Sequence, residues 1–129
     1  SSEFLGQLGI AYLALQNYAK AASIFKQLPD SNPTRLYNLA QAYIGLKDWP
    51  NAEATASDVY KRQPQNPKVY ELLGYVYENQ KRFKDALDQY KKAYELSKDA
   101  RYQDMIKRAT QALQQQQAPK PNSSTRSSR

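Results

Sequence analysis

Cysteine and histidine are both absent from the 129 residues of this chain. Without cysteine there is no disulfide framework, no thiolate nucleophile and no thiolate metal ligand. Without histidine, the commonest group for proton transfer and metal binding at neutral pH is missing too. Glycine is scarce, at four residues, and none falls in the close spacing of a phosphate-cradling loop. No hydroxyl or lysine nucleophile sits beside a base, and the carboxylates are scattered, so no catalytic or metal-ligating residue is nominated. The chain reads as a non-enzyme that needs no cofactor and holds no metal.

Long apolar runs are also lacking. None approaches the roughly 18 residues of a membrane span, and the first residues lack the basic-then-apolar pattern of a secretion signal. The opening Ser1-Ser2-Glu3-Phe4 runs almost at once into repeat pattern, which reads as the start of an excised piece. Any targeting segment would then lie outside it, and the compartment stays open between cytoplasm and, in a bacterium, periplasm.

Nineteen Lys and Arg against twelve Asp and Glu leave a net charge of +7. That balance suggests acidic partners, but Lys61-Arg62, Lys81-Arg82, Lys91-Lys92 and Lys107-Arg108 are interleaved with Glu53, Asp58, Glu78, Asp85, Asp88 and Glu95. No unbroken basic stripe results, which disfavours nucleic acid as a partner. Pairs such as Glu71 with Glu78, or Asp85 with Asp88, read as solvated helix faces.

What the chain does have is one pattern written three times. Leu5, Leu8, Gly9, Tyr12, Tyr18, Ala21 and Phe25 return as Leu36, Leu39, Ala40, Tyr43, Trp49, Ala52 and Ala56, then as Tyr70, Leu73, Gly74, Tyr77, Phe83, Ala86 and Tyr90. The offset is about 31 residues for the first step and about 34 for the second, the period of a solenoid of helical pairs. Apolar residues at three- and four-residue spacing predict first helices near 3–15, 33–46 and 67–80. Asn32-Pro33 and Asn66-Pro67 supply start signals, an amide oxygen to cap free N–H groups and a proline where no donor is needed.

Short polar joints, Gln16-Asn17, Lys47-Asp48 and Lys81-Arg82, predict antiparallel second helices near 18–28, 49–62 and 83–97. After Ala100 the pattern breaks, yet Tyr102, Met105, Ile106, Ala109 and Leu113 form one apolar stripe on a helix over 100–117, with Asp99 as its cap. One face would lie on the array and the other in water, as a capping helix requires. The remaining 118–129, rich in serine and proline and mildly basic, has too little apolar surface to offset the entropy of ordering and is expected to be disordered.

The order of leucine, glycine or alanine, tyrosine, a bulky aromatic, alanine, and a closing proline resembles the tetratricopeptide repeat over residues 2–99. The resemblance implies an all-α fold, a right-handed α-solenoid of antiparallel helix pairs, with repeats at 2–32, 33–66 and 67–99. Gly9, Ala40 and Gly74, with Ala21, Ala52 and Ala86, would let paired helices approach closely. Ala40 and Ala56 depart from the other copies, and a thin contact is expected at Ala56, filled by Tyr60 or a neighbouring repeat.

The same resemblance implies a protein-interaction scaffold that binds a peptide or helical segment of another protein in a concave groove lined by the first helices. Carried onto this chain, the groove residues are Ile10, Leu13, Tyr37, Asn38, Gln41, Ile44, Lys68, Glu71, Leu72 and Tyr75. Tyrosine rings and aliphatic pockets would take apolar side chains, while Asn38 and Gln41 would bond the peptide backbone. These side chains are placed equally well to meet the last helix, a neighbouring repeat or a second copy in a homo-oligomer. One branch of the family holds a terminal carboxylate with lysine, asparagine and arginine spread over three repeats. Here Asn38 and Lys68 match that set, whereas Gly6, Ile10 and Leu72 do not, so a carboxylate clamp is not expected.

Overall fold

The computed structural model describes residues 1–32 and 34–119. Within them lie seven helices: α1 (Ser2–Ala14), α2 (Tyr18–Gln27), α3 (Arg35–Gly45), α4 (Trp49–Arg62), α5 (Pro67–Asn79), α6 (Phe83–Ser97) and α7 (Ala100–Gln117). Each packs mainly on its neighbours in the sequence, and α1, α3 and α5 also touch across the array. The result is an all-α solenoid of antiparallel helix pairs. Pro33 and the last ten residues, and with them most of the segment expected to be disordered, lie outside the described residues.

The three joints within pairs share one construction. At the end of α1, Asn17 N–H donates to the carbonyl of Tyr12 at 2.8 Å and Gln16 N–H to that of Leu13 at 2.9 Å. Asp48 and Lys47 repeat these bonds at the end of α3, as do Arg82 and Lys81 at the end of α5. This is the Schellman arrangement, and it puts Gln16, Lys47 and Lys81 in the left-handed region at φ of 60°, 58° and 60°. The next residue then opens the following helix: Asn17 caps Lys20 N–H and Asp48 caps Asn51 N–H, both at 3.3 Å. Stop and start are fused in two residues, which folds the chain straight back.

Two helix starts rest on asparagine. Asn66 Oδ1 accepts from Lys68 N–H at 3.0 Å and Pro67 is the first helical residue. Asn32 Oδ1 accepts from Thr34 N–H at 2.8 Å and its carbonyl accepts from Arg35 N–H at 3.2 Å, just as the Asn66 carbonyl accepts from Val69 N–H at 3.1 Å. The described helix α3 runs from Arg35, two residues later than the spacing predicts. The shortened copy is explained by α2, which has 10 residues where α4 and α6 have 14 and 15. Its chain leaves in extended conformation at Leu28, whose side chain still packs into the core.

The core follows the repeat. Phe25 is fully buried with Ala21, Ala22, Leu39 and Ala42, and Tyr90 is buried with Ala86, Leu87 and Ala109. A Cβ on Gly9 would stand 2.7 Å from the Phe25 ring, and one on Gly74 would collide with the Tyr90 ring. Glycine therefore appears where a large ring crosses the backbone. In the middle copy both partners change together: Ala40 faces Ala56 in a cluster filled by Leu72 and Leu73. The expected thin contact is thus closed by α5 and not by Tyr60, which stays exposed and meets Tyr70 edge to face.

Candidate functional site

First helices in the array present a common face, and their matching positions form rows. Tyr37, Glu71 and Met105 are equivalent by repeat, as are Ile10, Gln41 and Tyr75, and again Leu13, Ile44 and Glu78. A cavity of about 550 Å³ opens on this face, within the range of a binding cleft. Its walls are Leu13 of α1, Tyr37, Gln41, Ile44 and Gly45 of α3, Glu71, Leu72 and Tyr75 of α5, and Met105 and Arg108 of α7, with Tyr18, Lys47 and Tyr90.

Of the residues expected in a groove, Ile10, Asn38 and Lys68 are not among those walls. Asn38 turns inward along its own helix, its amide donating to the Thr34 carbonyl at 2.8 Å. Ile10 and Lys68 are exposed away from the cavity. Leu72 lines it but is only 6% exposed, because the small Ala40 and Ala56 draw it into the core. Tyr37 and Ile44 pack on that cluster as well, so they serve core and cavity together.

The carboxylates on this face are engaged, contrary to their reading as solvated charges. Glu78 accepts from Arg108 Nε at 2.6 Å and Nη2 at 2.8 Å, and from the Tyr90 hydroxyl at 2.7 Å. Burial pushes its carboxyl up, but the bonds from Arg108 and Tyr90 and the charge of Arg108 outweigh that and hold it below the ordinary 4.5. Burial and then the bond to Glu78 drive the Tyr90 phenol well above the usual tyrosine range. Glu71 accepts from the Tyr102 hydroxyl at 2.8 Å. Burial first, and the Glu71 charge second, raise Tyr37.

Tyr18, Gly45, Lys47, Tyr90, Met105 and Arg108 enter the site without having been expected there. A Cβ at Gly45 would collide with the Tyr18 ring, so this glycine admits an aromatic wall from α2. The signal was present in the sequence: Gly45 stands where the other copies have Ala14 and Asn79. Arg108 carried no such signal, since its partner lies 30 residues away on another helix.

A family model of the tetratricopeptide repeat matches residues 37–104, more than half of the chain, and a second matches residues 7–34. The chain belongs to the tetratricopeptide repeat family. Among solved structures, the Sgt2 tetratricopeptide domain from Aspergillus fumigatus is similar at 22% identity and a TM-score of 0.82, covering 94% of this chain and 85% of that one. The first tetratricopeptide domain of Spaghetti (RPAP3), bound to the HSP90 peptide SRMEEVD, is similar at 22% identity and 0.79, covering 87% and 92%. PcrH, in complex with the chaperone binding region of PopB, is similar at 16% and 0.71, covering 86% and 93%. At these identities the likeness is one of tetratricopeptide fold. Comparison with curated proteins gave no match.

Proposed function

We propose that this tetratricopeptide chain is a non-catalytic protein-interaction scaffold whose cavity holds a peptide or helical segment of a partner protein. The observation that carries this reading is the convergence of non-repeated side chains, Gln41, Glu71 and Tyr75 foremost, from separate helices onto one concavity. Stacking explains the repeated residues and assigns no such role to Gln41 and Tyr75, while Glu71 also holds the Tyr102 hydroxyl. Two proteins of the same fold hold such segments, an HSP90 peptide in one and a region of PopB in the other. The amide of Asn38 is already bonded to its own helix, which adds to the argument against a carboxylate clamp.

Tyr75 is the cleanest residue for a test, because it is 46% exposed and lines the cavity. Tyr75→Ala should leave the melting temperature nearly unchanged and weaken a captured partner about tenfold or more. Normal binding by this variant contradicts the reading. Tyr37→Ala is less clean, since Tyr37 also packs on the cluster around Ala40.

A second reading, self-association, is favoured by Phe4 of α1 and Leu15 just after that helix, which are 64% and 75% exposed. A second copy that covers this face would make light scattering depend on concentration. A constant monomeric mass removes it.

A further inference from the structure

Three charged side chains line the cavity: Lys47, Glu71 and Arg108. Arg108 is committed to Glu78 by two short bonds. Lys47 stands beyond the C-terminal end of α3, whereas Glu71 matches Tyr37 in the first turn of that helix by repeat position, and no ion pair among the described residues joins Lys47 to Glu71. Glu71 is different. Its one described partner is the neutral Tyr102 hydroxyl, and none of the ion pairs among the described residues includes it. Arg101 feels the Glu71 charge, but its guanidinium is bonded to Asp99 at 3.1 Å, so the Glu71 carboxylate has no ion-pair partner among the described residues.

Its surroundings are aromatic. Tyr75 lies one turn further along α5 on the same face, 46% exposed, and Tyr37 is at the equivalent repeat position on α3. All three line the same cavity. A negative group that shares a cavity wall with tyrosine rings attracts a cation by charge, and the ring quadrupoles add to that attraction. The neighbouring Ile44 and Leu72 offer apolar wall to the methylenes of a long basic side chain.

We propose that Glu71, Tyr37 and Tyr75 form a cation-binding position that takes a lysine or arginine side chain of the partner segment. The inference rests on the groove reading and gives that segment a chemistry: one basic residue beside apolar anchors. Tyr37 and Glu71 line the same cavity, and the Glu71 charge adds to burial in raising the Tyr37 phenol.

The test uses the full chain and a displayed library of random dodecapeptides. Enriched peptides are resynthesised with a fluorophore and titrated against the wild type, Glu71→Gln and Tyr75→Ala. Glutamine keeps an acceptor for the Tyr102 hydroxyl, and a melting curve checks that the fold is retained. The expected result is enrichment of lysine or arginine next to apolar residues, with Glu71→Gln weakening binding about three- to tenfold. Replacing the peptide's basic residue by glutamine should cost the same factor, and the two changes together no more than either. Binders without a basic preference, or equal binding by Glu71→Gln, overturn the cation position and leave the groove standing. Binders indifferent to Tyr75→Ala as well, or a library that yields none, overturn both.

Discussion

Gly9 and Phe25, Ala40 and Ala56, and Gly74 and Tyr90 are three solutions to one packing problem. Glycine lies under a large ring in the outer copies and alanine meets alanine in the middle one, so two apparent departures from the pattern are a single compensated exchange. Gly9→Ala should therefore destabilise by about 1–3 kcal/mol, because Phe25 is fully buried and has nowhere to move. Phe25→Ala alone should cost about 3–5 kcal/mol. In that background Gly9→Ala should cost almost nothing, and denaturant unfolding of the four proteins measures the difference. Full additivity would refute the pairing. Repeat positions of this kind were legible in the sequence, because each copy prints the same problem. Leu72 was not, since its burial depends on how little space Ala40 and Ala56 occupy on other helices.

At the scale of elements, α4, α6 and α7 begin and end where the sequence indicates, because Asp48, the short joints and Asp99 are local signals. The start of α3 lies at Arg35, two residues past the position that spacing predicts. How α7 is tethered was hidden from the sequence: its polar ties to α5 join residues about 30 apart, and charge pairing at that range leaves no local trace. Glu78 is central to them, with a side chain 17% exposed. Glu78→Gln should lower stability at neutral pH by about 1–2 kcal/mol, a modest figure because Arg108 is half exposed. The folded carboxyl lies below its ordinary 4.5, so its contribution is fully present above that pH and is lost as pH falls through the lower folded value. Thermal melts of the wild type and Glu78→Gln should accordingly converge under acid conditions. A gap that stays constant down to pH 3 would show that the charge of Glu78 contributes nothing.

For the whole molecule, repetition builds the scaffold and, on the proposed reading, its interruptions supply the recognition chemistry. The array brings residues from α1, α3, α5 and α7 to one concavity, and only those that differ between copies give it tyrosine, amide and carboxylate groups in a defined order. Much of that face could be read by aligning the copies against one another. Arg108 and Met105 could not, because α7 has left the pattern, and Tyr18 enters through the bare backbone of Gly45. The central claim is that a partner segment lies in this cavity, and amide chemical shifts of the labelled chain during titration with a selected dodecapeptide test it most directly. The account predicts that the largest changes fall on Gln41, Ile44, Glu71 and Tyr75 and their neighbours. Changes confined to the exposed residues of α2, α4 and α6 would contradict it.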